Sequence, residues 1–218
     1  MTISRRTLLL AGIPAAAVGL GLFGWRRIDP HTPLRYSSPV GAGPLTEPAA
    51  DCIAHPPRAA TAAVTEGPFY KPGTPARQLL RTAQTKGIPL RLKGRVLTRD
   101  CRPIVGAVIE LWGCDGSGVY DNEGFDLRGH QFSDAAGEFA FDTVKPADYR
   151  NFGIHRTAHL HAKVQGPATR LLTTQLYFPD SPHNTSDLFF DPSLLLQLQA
   201  GPDGLVATFD FVLDEAAG

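Results

Sequence analysis

The stretch that decides the fold runs from Pro89 to Trp112 and reads PLRLKGRVLTRDCRPIVGAVIELW. Its two ends, residues 89–96 and 105–112, are rich in apolar and β-branched side chains, whereas residues 98–103 between them are charged or turn-forming. In the second half the side chains alternate, with Val108, Glu110 and Trp112 on one face and Ile109 and Leu111 on the other. The stretch therefore predicts a strand, a turn and a second strand.

Four further segments have strand composition, and each is bounded by Gly, Pro, Asp or Asn. They are Glu138 to Phe141, Ala158 to Val164, Leu171 to Phe178 and Leu205 to Leu213. Two segments are compatible with short helices, Ala76 to Thr85 and Ser193 to Gln199. Many short strands at close spacing are typical of a β-sandwich. We predict an all-β fold of two packed sheets, with few short helices and long loops that carry an active site.

The N-terminal segment has the pattern of an export signal. Ser4-Arg5-Arg6-Thr7-Leu8-Leu9-Leu10 precedes an uncharged apolar run to Trp25, as in twin-arginine signals, which export folded proteins, often with their cofactor inserted. Residues 1–27 are thus interpreted as a twin-arginine signal or, because Arg26 and Arg27 close the apolar run, as a membrane anchor. Residues 28–60 form a Pro/Ala-rich linker or arm, and 61–218 the sandwich domain. The expected location is the periplasm or the medium, with membrane anchoring as the alternative.

Charge excludes one class of partner. The whole chain has no net charge, but residues 1–27 hold four arginines and no acid, which leaves 17 basic against 21 acidic residues. A mildly acidic domain is a poor candidate for binding nucleic acid. We therefore expect no nucleic-acid partner, and a membrane contact only through the N-terminal segment.

The three cysteines allow at most one internal disulfide. Cys101 lies at a predicted hairpin tip and Cys114 beyond the far end of the next strand, about 30 Å away, so they are poor partners for each other. Cys52 could pair with either of them, and three free thiols are the default expectation.

Two histidines separated by one residue are the first candidate metal ligands. His159 and His161 lie in a predicted strand, where alternate side chains share a face, so both imidazoles point the same way. Imidazole binds iron, copper, zinc and nickel alike. The same pattern also fits two polar residues on a solvated face, so it proposes a metal site without identifying the metal.

Two tyrosines could complete such a site. Phenolate is a hard, anionic oxygen donor that favours a high oxidation state, above all ferric iron. Tyr120 follows a glycine-rich loop, and Tyr149 ends the run Lys145-Pro146-Ala147-Asp148-Tyr149. Each also has a structural interpretation, because loop tyrosines commonly bury the ring and leave the hydroxyl in water. Neither tyrosine identifies a ferric site by itself.

Several motifs follow one another in an informative order. They are Thr65-Glu66-Gly67-Pro68-Phe69-Tyr70, the loop ending at Tyr120, Arg128-Gly129-His130-Gln131, Asp134-Ala135-Ala136-Gly137, Pro146 to Tyr149, Arg156-Thr157-Ala158-His159-Leu160-His161 and Thr173-Thr174-Gln175. In this order the chain resembles the intradiol ring-cleaving dioxygenases, a family that includes catechol 1,2-dioxygenase, hydroxyquinol 1,2-dioxygenase and protocatechuate 3,4-dioxygenase. The resemblance extends over about residues 60–213.

This resemblance implies a cofactor and a reaction. The implied cofactor is one Fe(3+) per chain, with the four ligands Tyr120, Tyr149, His159 and His161. The implied partners are a small aromatic diol and dioxygen, and the product is a muconate-type diacid. Assembly as a homo-oligomer is compatible with what is found in the family.

It also implies roles for individual side chains. Tyr149 matches the ligand that leaves and takes up a proton when a catechol binds. Arg156 matches an arginine that stabilises negative charge on the activated ring, and Gln175 a glutamine that lines the same cavity. Gly67 and Pro68 match the segment on the substrate side of the pocket.

Two alternatives belong to other classes of protein. The first is an exported β-sandwich binding module without catalysis, in which the tyrosines and histidines are incidental. The second is a cupin-like oxygenase with a ferrous site of two histidines and one carboxylate, for which Asp180 and Asp187 are the nearest candidates. His130 and His155 lie near matched motifs and are interpreted as structural or solvent-facing. Ala147 and Thr157 replace a glycine and a proline of many family members, which leaves the substrate open.

Overall fold

The computed structural model describes residues 32–39, 58–151 and 153–216. The predicted signal at 1–27 and most of the predicted arm lie outside these residues. The described strands are β1 Pro89–Thr98, β2 Val108–Trp112, β3 Arg128–Phe132, β4 Glu138–Val144, β5 Tyr149–Asn151, β6 Ile154–Arg156, β7 His159–Gln165, β8 Leu172–Tyr177, β9 Gln197–Gly201, β10 Gly204–Thr208 and β11 Phe211–Leu213. Three-residue 3-10 turns lie at Asn184–Ser186 and Pro192–Leu194. The prediction of an all-β fold is confirmed.

The first sheet is built on the long strand β1. One edge of β1 pairs antiparallel with β4, so that Leu92 lies opposite Phe141. Its other edge pairs in parallel first with β10 and then with β11, and β9 extends the sheet from β10. Ten residues of β1 thus hold together strands from both ends of the domain.

The second sheet carries the candidate site. Its order is β3-β2-β7-β8, with every neighbouring pair antiparallel. Because side chains at paired positions lie side by side on one face, the register forms rows across the sheet. One row contains Arg128, Trp112, His161 and Gln175. His159 lies opposite Tyr177 in the next row, on the same face.

The hydrophobic core lies between the two sheets. Leu92, Phe141 and Ala207 of the first sheet and Ile109 and Leu160 of the second are fully or almost fully buried in one cluster. Full burial of a leucine or phenylalanine side chain contributes about 2 kcal/mol to stability. The inner face of the second sheet is therefore committed to packing, and its outer face is left for polar chemistry.

The helix predicted for Ala76 to Thr85 is wrong. This segment runs in an irregular, extended path beside the strands, with bridges at Ala76 and Leu79. The N–H groups of Arg77 and Leu80 donate to the carbonyls of His130 and Asp142. Pairing with β3 and β4 satisfies the backbone that a helix would satisfy internally, which overrides the helix-forming composition.

The second predicted helix, Ser193 to Gln199, is also wrong. The chain forms the 3-10 turn Pro192–Leu194, which Asp191 caps by accepting a hydrogen bond from the Ser193 N–H, and then enters β9. The predicted strand Leu205 to Leu213 divides into β10 and β11. Between them, Asp210 accepts a bond from the backbone N–H of Arg95 and pairs with its guanidinium.

Cys101 is disulfide-bonded whereas Cys114 is free and buried, so the default expectation of three free thiols is wrong.

Tyr36, which belongs to the predicted arm, stacks on His130 with ring centroids 3.8 Å apart and donates a hydrogen bond to Glu110. Among the described residues, no helix has the length and apolarity needed to cross a membrane.

Candidate metal centre

The two histidines of β7 point at a common position. The Nε2 atoms of His159 and His161 lie 3.1 Å apart, and each side chain is only 1% exposed. His159 Nδ1 lies 2.6 Å from the carbonyl of Thr157. Because a carbonyl can only accept, Nδ1 carries the ring proton and Nε2 presents a free lone pair, which is the arrangement of a metal-binding histidine.

Both rings are neutral at pH 7. Burial, reinforced by the positive charge of Arg156, lowers the pKa of His159 to about 4. Burial and the neighbouring His159 lower the pKa of His161 well below its ordinary value. Neutral imidazole is the form that binds metal, so the environment prepares these rings for coordination without acid competition.

The two tyrosines close the other side of this position. The rings of Tyr120 and Tyr149 lie edge to face with centroids 5.5 Å apart. Tyr149 is 5.6 Å from His159 and Tyr120 is 6.3 Å from His161, again between centroids. The structure thus brings together the four side chains predicted from sequence, although they come from three separate segments.

A glycine permits the two tyrosine segments to approach. Gly118 has φ +80°, and a Cβ there would lie 3.0 Å from the carbonyl oxygen of Asp148 and 3.1 Å from the Cβ of Tyr149. Only glycine adopts this conformation readily and leaves this space. The glycine-rich composition before Tyr120 therefore has a structural purpose, which is to let the Tyr120 loop lie against β5.

The chemistry of this set fits a cation. Burial raises the pKa of Tyr120 well above its ordinary value, and burial also raises that of Tyr149. The Tyr120 hydroxyl makes no well-formed hydrogen bond with any described residue, although the nearby Tyr149 hydroxyl contributes to the rise in the pKa of Tyr120. A buried hydroxyl without a partner is costly. A trivalent ion would ionise both phenols and satisfy this oxygen.

Aromatic side chains fix the orientation of the candidate ligands. Trp112 stacks on His161 with a centroid distance of 4.9 Å and an angle of 5° between the planes. Phe69 stacks on Tyr120 at 4.3 Å. Neither contact was predicted. Trp112 could have been, because it shares the outward face of β2 with Glu110.

The predicted substrate-side segment lies against the same histidine. Gly67 has φ +70°, and a Cβ there would lie 3.3 Å from His161 Cε1. Pro68 follows and is exposed. Gly67 therefore contacts the candidate centre directly, whereas Pro68 is exposed to solvent.

Arg156 is buried beside the centre in a polar network. Its Nε donates to both oxygens of Asp187, at 3.2 and 3.0 Å, and its Nη2 donates to Gln175 Oε1 at 2.6 Å. Burial raises the pKa of Tyr149, and the positive charge of Arg156 offsets part of this rise. The competing interpretation of an arginine paired with a surface acid does not hold, because the Asp187 side chain is fully buried.

The carboxylates required by a two-histidine, one-carboxylate site are engaged elsewhere. Asp187 binds Arg156 and the Thr157 N–H. Asp180 pairs with Lys145. Of the other described histidines, His130 Nδ1 lies 2.8 Å from the Thr74 carbonyl, and His155 Nε2 lies 3.5 Å from Asp148 Oδ2.

Comparison with known proteins agrees with this geometry. A family model described as dioxygenase matches residues 65–217. A chlorocatechol 1,2-dioxygenase of Pseudomonas sp. is 33% identical, with 69% of this chain and 69% of that protein aligned. A catechol 1,2-dioxygenase of Candida albicans is 28% identical over 58% of this chain, which spans half the length of that relative.

Solved structures give the same result. The dioxygenase domain of a dioxygenase and carbohydrate-binding fusion protein from Streptomyces sp. SirexAA-E is 45% identical, with a TM-score of 0.68 over 72% of this chain and 100% of that one. A hydroxyquinol 1,2-dioxygenase from Pseudomonas putida DLL-E4 is 29% identical, with a TM-score of 0.67 over 76% of this chain and 71% of that one.

Proposed function

Because the chain belongs to the intradiol dioxygenase family, we propose that it is an iron(III)-dependent enzyme that opens a catechol-like ring between its two hydroxylated carbons. The observation that carries this proposal is the convergence of two buried phenols and two neutral imidazoles on one position. The product is a muconate-type diacid that contains both atoms of dioxygen.

The proposed ligands of one Fe(3+) are Tyr120, Tyr149, His159 and His161. Two phenolates offset two of its three positive charges, and the histidines add none, so the set stabilises the ferric state. When bound, the ion would supply Lewis acidity and an electron acceptor for a catechol-like ring.

The two tyrosines differ in how they are held, which supports different roles. Tyr120 is 7% exposed and is stacked under Phe69. Tyr149 is half-buried on the three-residue strand β5. We assign to Tyr149 Oη the proton released by the incoming diol, and to Tyr120 a permanent place in the centre.

Arg156 and Gln175 would act on the substrate side. The guanidinium lies close enough to Tyr149 to offset part of the rise in pKa that burial causes, so it would also stabilise negative charge developing on the substrate ring. Gln175 holds the guanidinium through its Oε1 and donates from Nε2 to the Thr65 carbonyl. Because Gly67 has no side chain, it would leave room for the aromatic ring of the substrate beside the His161 imidazole.

The names of the relatives support a substrate class. They include enzymes for catechol, chlorocatechol and hydroxyquinol, and we propose a simple or substituted catechol here. We further propose that the twin-arginine pattern at Arg5 and Arg6 exports the folded protein with its iron in place.

The test is to purify the exported form and measure its iron content, visible spectrum and dioxygen uptake with catechol and hydroxyquinol. A ferric tyrosinate enzyme is coloured and yields the ring-opened diacid. A colourless protein without uptake would favour the binding-module alternative, and cleavage outside the two hydroxyls would contradict the intradiol assignment.

A further inference from the structure

Three potential metal ligands lie together outside the proposed iron centre. They are Asp148 before β5, His155 in β6 and His183 after β8, and their ligand atoms all lie within 4.8 Å of one another. The proposed reaction uses none of them. Asp148 and His155 are half-buried and His183 is exposed, so the cluster is open to solvent.

The carboxylate of Asp148 is held in place by one of its oxygens. Oδ1 accepts the Ala158 N–H at 2.8 Å and the Ser181 hydroxyl at 3.4 Å. Oδ2 faces His155 Nε2 at 3.5 Å, too far for a good hydrogen bond. Oδ1 of Asp148 is therefore engaged in hydrogen bonds within the fold, whereas Oδ2 remains available to a ligand.

The second imidazole is not explained by an ion pair. His183 lies at the N-terminal cap position of the Asn184–Ser186 turn but makes no side-chain capping bond there. Its ring instead packs edge to face on His155, with centroids 4.6 Å apart. A cation shared by the two imidazoles and the Asp148 carboxylate would satisfy all three groups.

We propose that Asp148, His155 and His183 form a second site, which binds a divalent transition-metal ion of the zinc or copper type. Two imidazole nitrogens and one carboxylate oxygen suit these ions, whereas Mg²⁺ and Ca²⁺ prefer oxygen ligands alone. Zinc to nitrogen distances are about 2.0–2.1 Å, so ligand atoms in a tetrahedral site lie about 3.4 Å apart. The exposed His183 side chain can close the remaining gap by rotation, and water would fill the fourth position.

The site is coupled by the backbone to the iron centre. Asp148 immediately precedes Tyr149, and His155 immediately precedes Arg156. The Ala158 N–H that binds Asp148 belongs to the residue before His159. An ion here would stiffen β5 and β6, the segment that carries the proposed leaving tyrosine; this consequence, unlike the binding itself, rests on the proposed function.

The test is calorimetric titration of the full, iron-loaded chain with Zn²⁺, on protein purified without a histidine tag. The variants are His183→Ala, His155→Ala and Asp148→Asn, the last of which keeps an acceptor for the Ala158 N–H. Asp203→Asn, an exposed carboxylate in the β9–β10 turn, is the matched control. We expect one binding event in the wild type and the control, weakened at least about tenfold in each variant.

Electron paramagnetic resonance with Cu²⁺ provides a second readout. Nitrogen hyperfine splitting should show two imidazoles in the wild type and one in His183→Ala. The second site is identified by the two-imidazole Cu²⁺ signal that the wild type has and the variants lack. This difference does not depend on which metal the tyrosines and the β7 histidines hold. Equal Zn²⁺ isotherms in the wild type, His155→Ala and His183→Ala would overturn the proposal.

Discussion

Arg156 Nη2 lies 2.6 Å from Gln175 Oε1, and the same amide donates through Nε2 to the Thr65 carbonyl at 2.8 Å. Together with the bond from Arg156 to Asp187, this forms a continuous polar chain from a buried acid to the segment that precedes Gly67. The Arg156 guanidinium is therefore both a charge beside the candidate centre and, through Gln175, a support for the segment that precedes Gly67.

Replacing Arg156 by Lys should reduce catalysis without releasing iron. Lysine keeps the charge but cannot bind Asp187 and Gln175 together with a planar fork. We expect kcat/KM for catechol to fall by about 10²–10³, the loss typical for one electrostatic donor, while the visible absorption band and iron content stay unchanged. Loss of iron in this variant would show that Arg156 is needed to build the centre rather than to act on the ring.

Replacing Tyr149 by Phe should alter both colour and rate. The variant would lose one of the two proposed phenolate ligands and the proposed acceptor of the substrate proton, so we expect a shifted and weaker visible band and a kcat lower by about 10²–10⁴. Tyr36→Phe is the control, because Tyr36 lies on the arm against Glu110. If the spectrum of the Tyr149 variant matched that of wild type, Tyr149 would not be a ligand.

Gly67→Ala isolates the space beside His161. The new Cβ would meet His161 Cε1 at 3.3 Å, and the left-handed conformation at φ +70° costs about 1–2 kcal/mol for alanine. Gly73→Ala is a matched control, since Gly73 has φ +80° but nothing lies within 4 Å of its added Cβ. Both variants should lose similar stability, but Gly67→Ala alone should raise KM for catechol or lower kcat.

The sequence predicted those elements whose periodicity is local. Alternation in β2 and β7 placed Trp112, His159 and His161 on the correct faces, because a period of two is readable within a few residues. The alternation left open whether the histidine face of β7 is exposed to solvent or buried. Both histidines are 1% exposed, because loops without any periodicity cover the sheet. Burial of a sheet face by loops that are distant in sequence leaves no pattern in the sequence of the strand itself.

The same limit explains the polar network and the false helix. Asp187 lies 31 residues from Arg156, and nothing around it distinguishes it from any other loop acid. The segment Ala76 to Thr85 has helix-forming residues, but its backbone bonds are made to β3 and β4. In both cases partners distant in sequence determined the outcome.

Acid should destabilise the iron-free protein. The pKa of His159 is about 4 in the folded state against 6.5 when exposed, so the unfolded chain binds more protons and stability falls as pH drops from about 6.5 towards 4. From pH 7 to pH 5 this amounts to about 2 kcal/mol, or a decrease in Tm of about 4–8 °C. Thermal melts of wild type and His159→Gln should show a smaller pH slope in the variant. Parallel slopes would contradict a buried neutral His159.

The pair of Lys163 and Glu66 should matter far more than a surface pair. Lys163 Nζ lies 2.8 Å from Glu66, the lysine side chain is 1% exposed, and its ammonium lies over the Tyr70 ring at 4.3 Å. Glu66→Gln would leave a buried cation with weakened compensation, so we expect a loss of about 3 kcal/mol in urea unfolding. Arg91→Gln, which removes a half-exposed pair with Asp142 at 3.5 Å, should cost less than about 1 kcal/mol. Because Glu66 adjoins Gly67, Glu66→Gln should also raise KM for catechol, whereas Arg91→Gln should leave KM unchanged. If the two variants had equal effects on stability and on KM, the buried pair would not fix the segment that lies over His161.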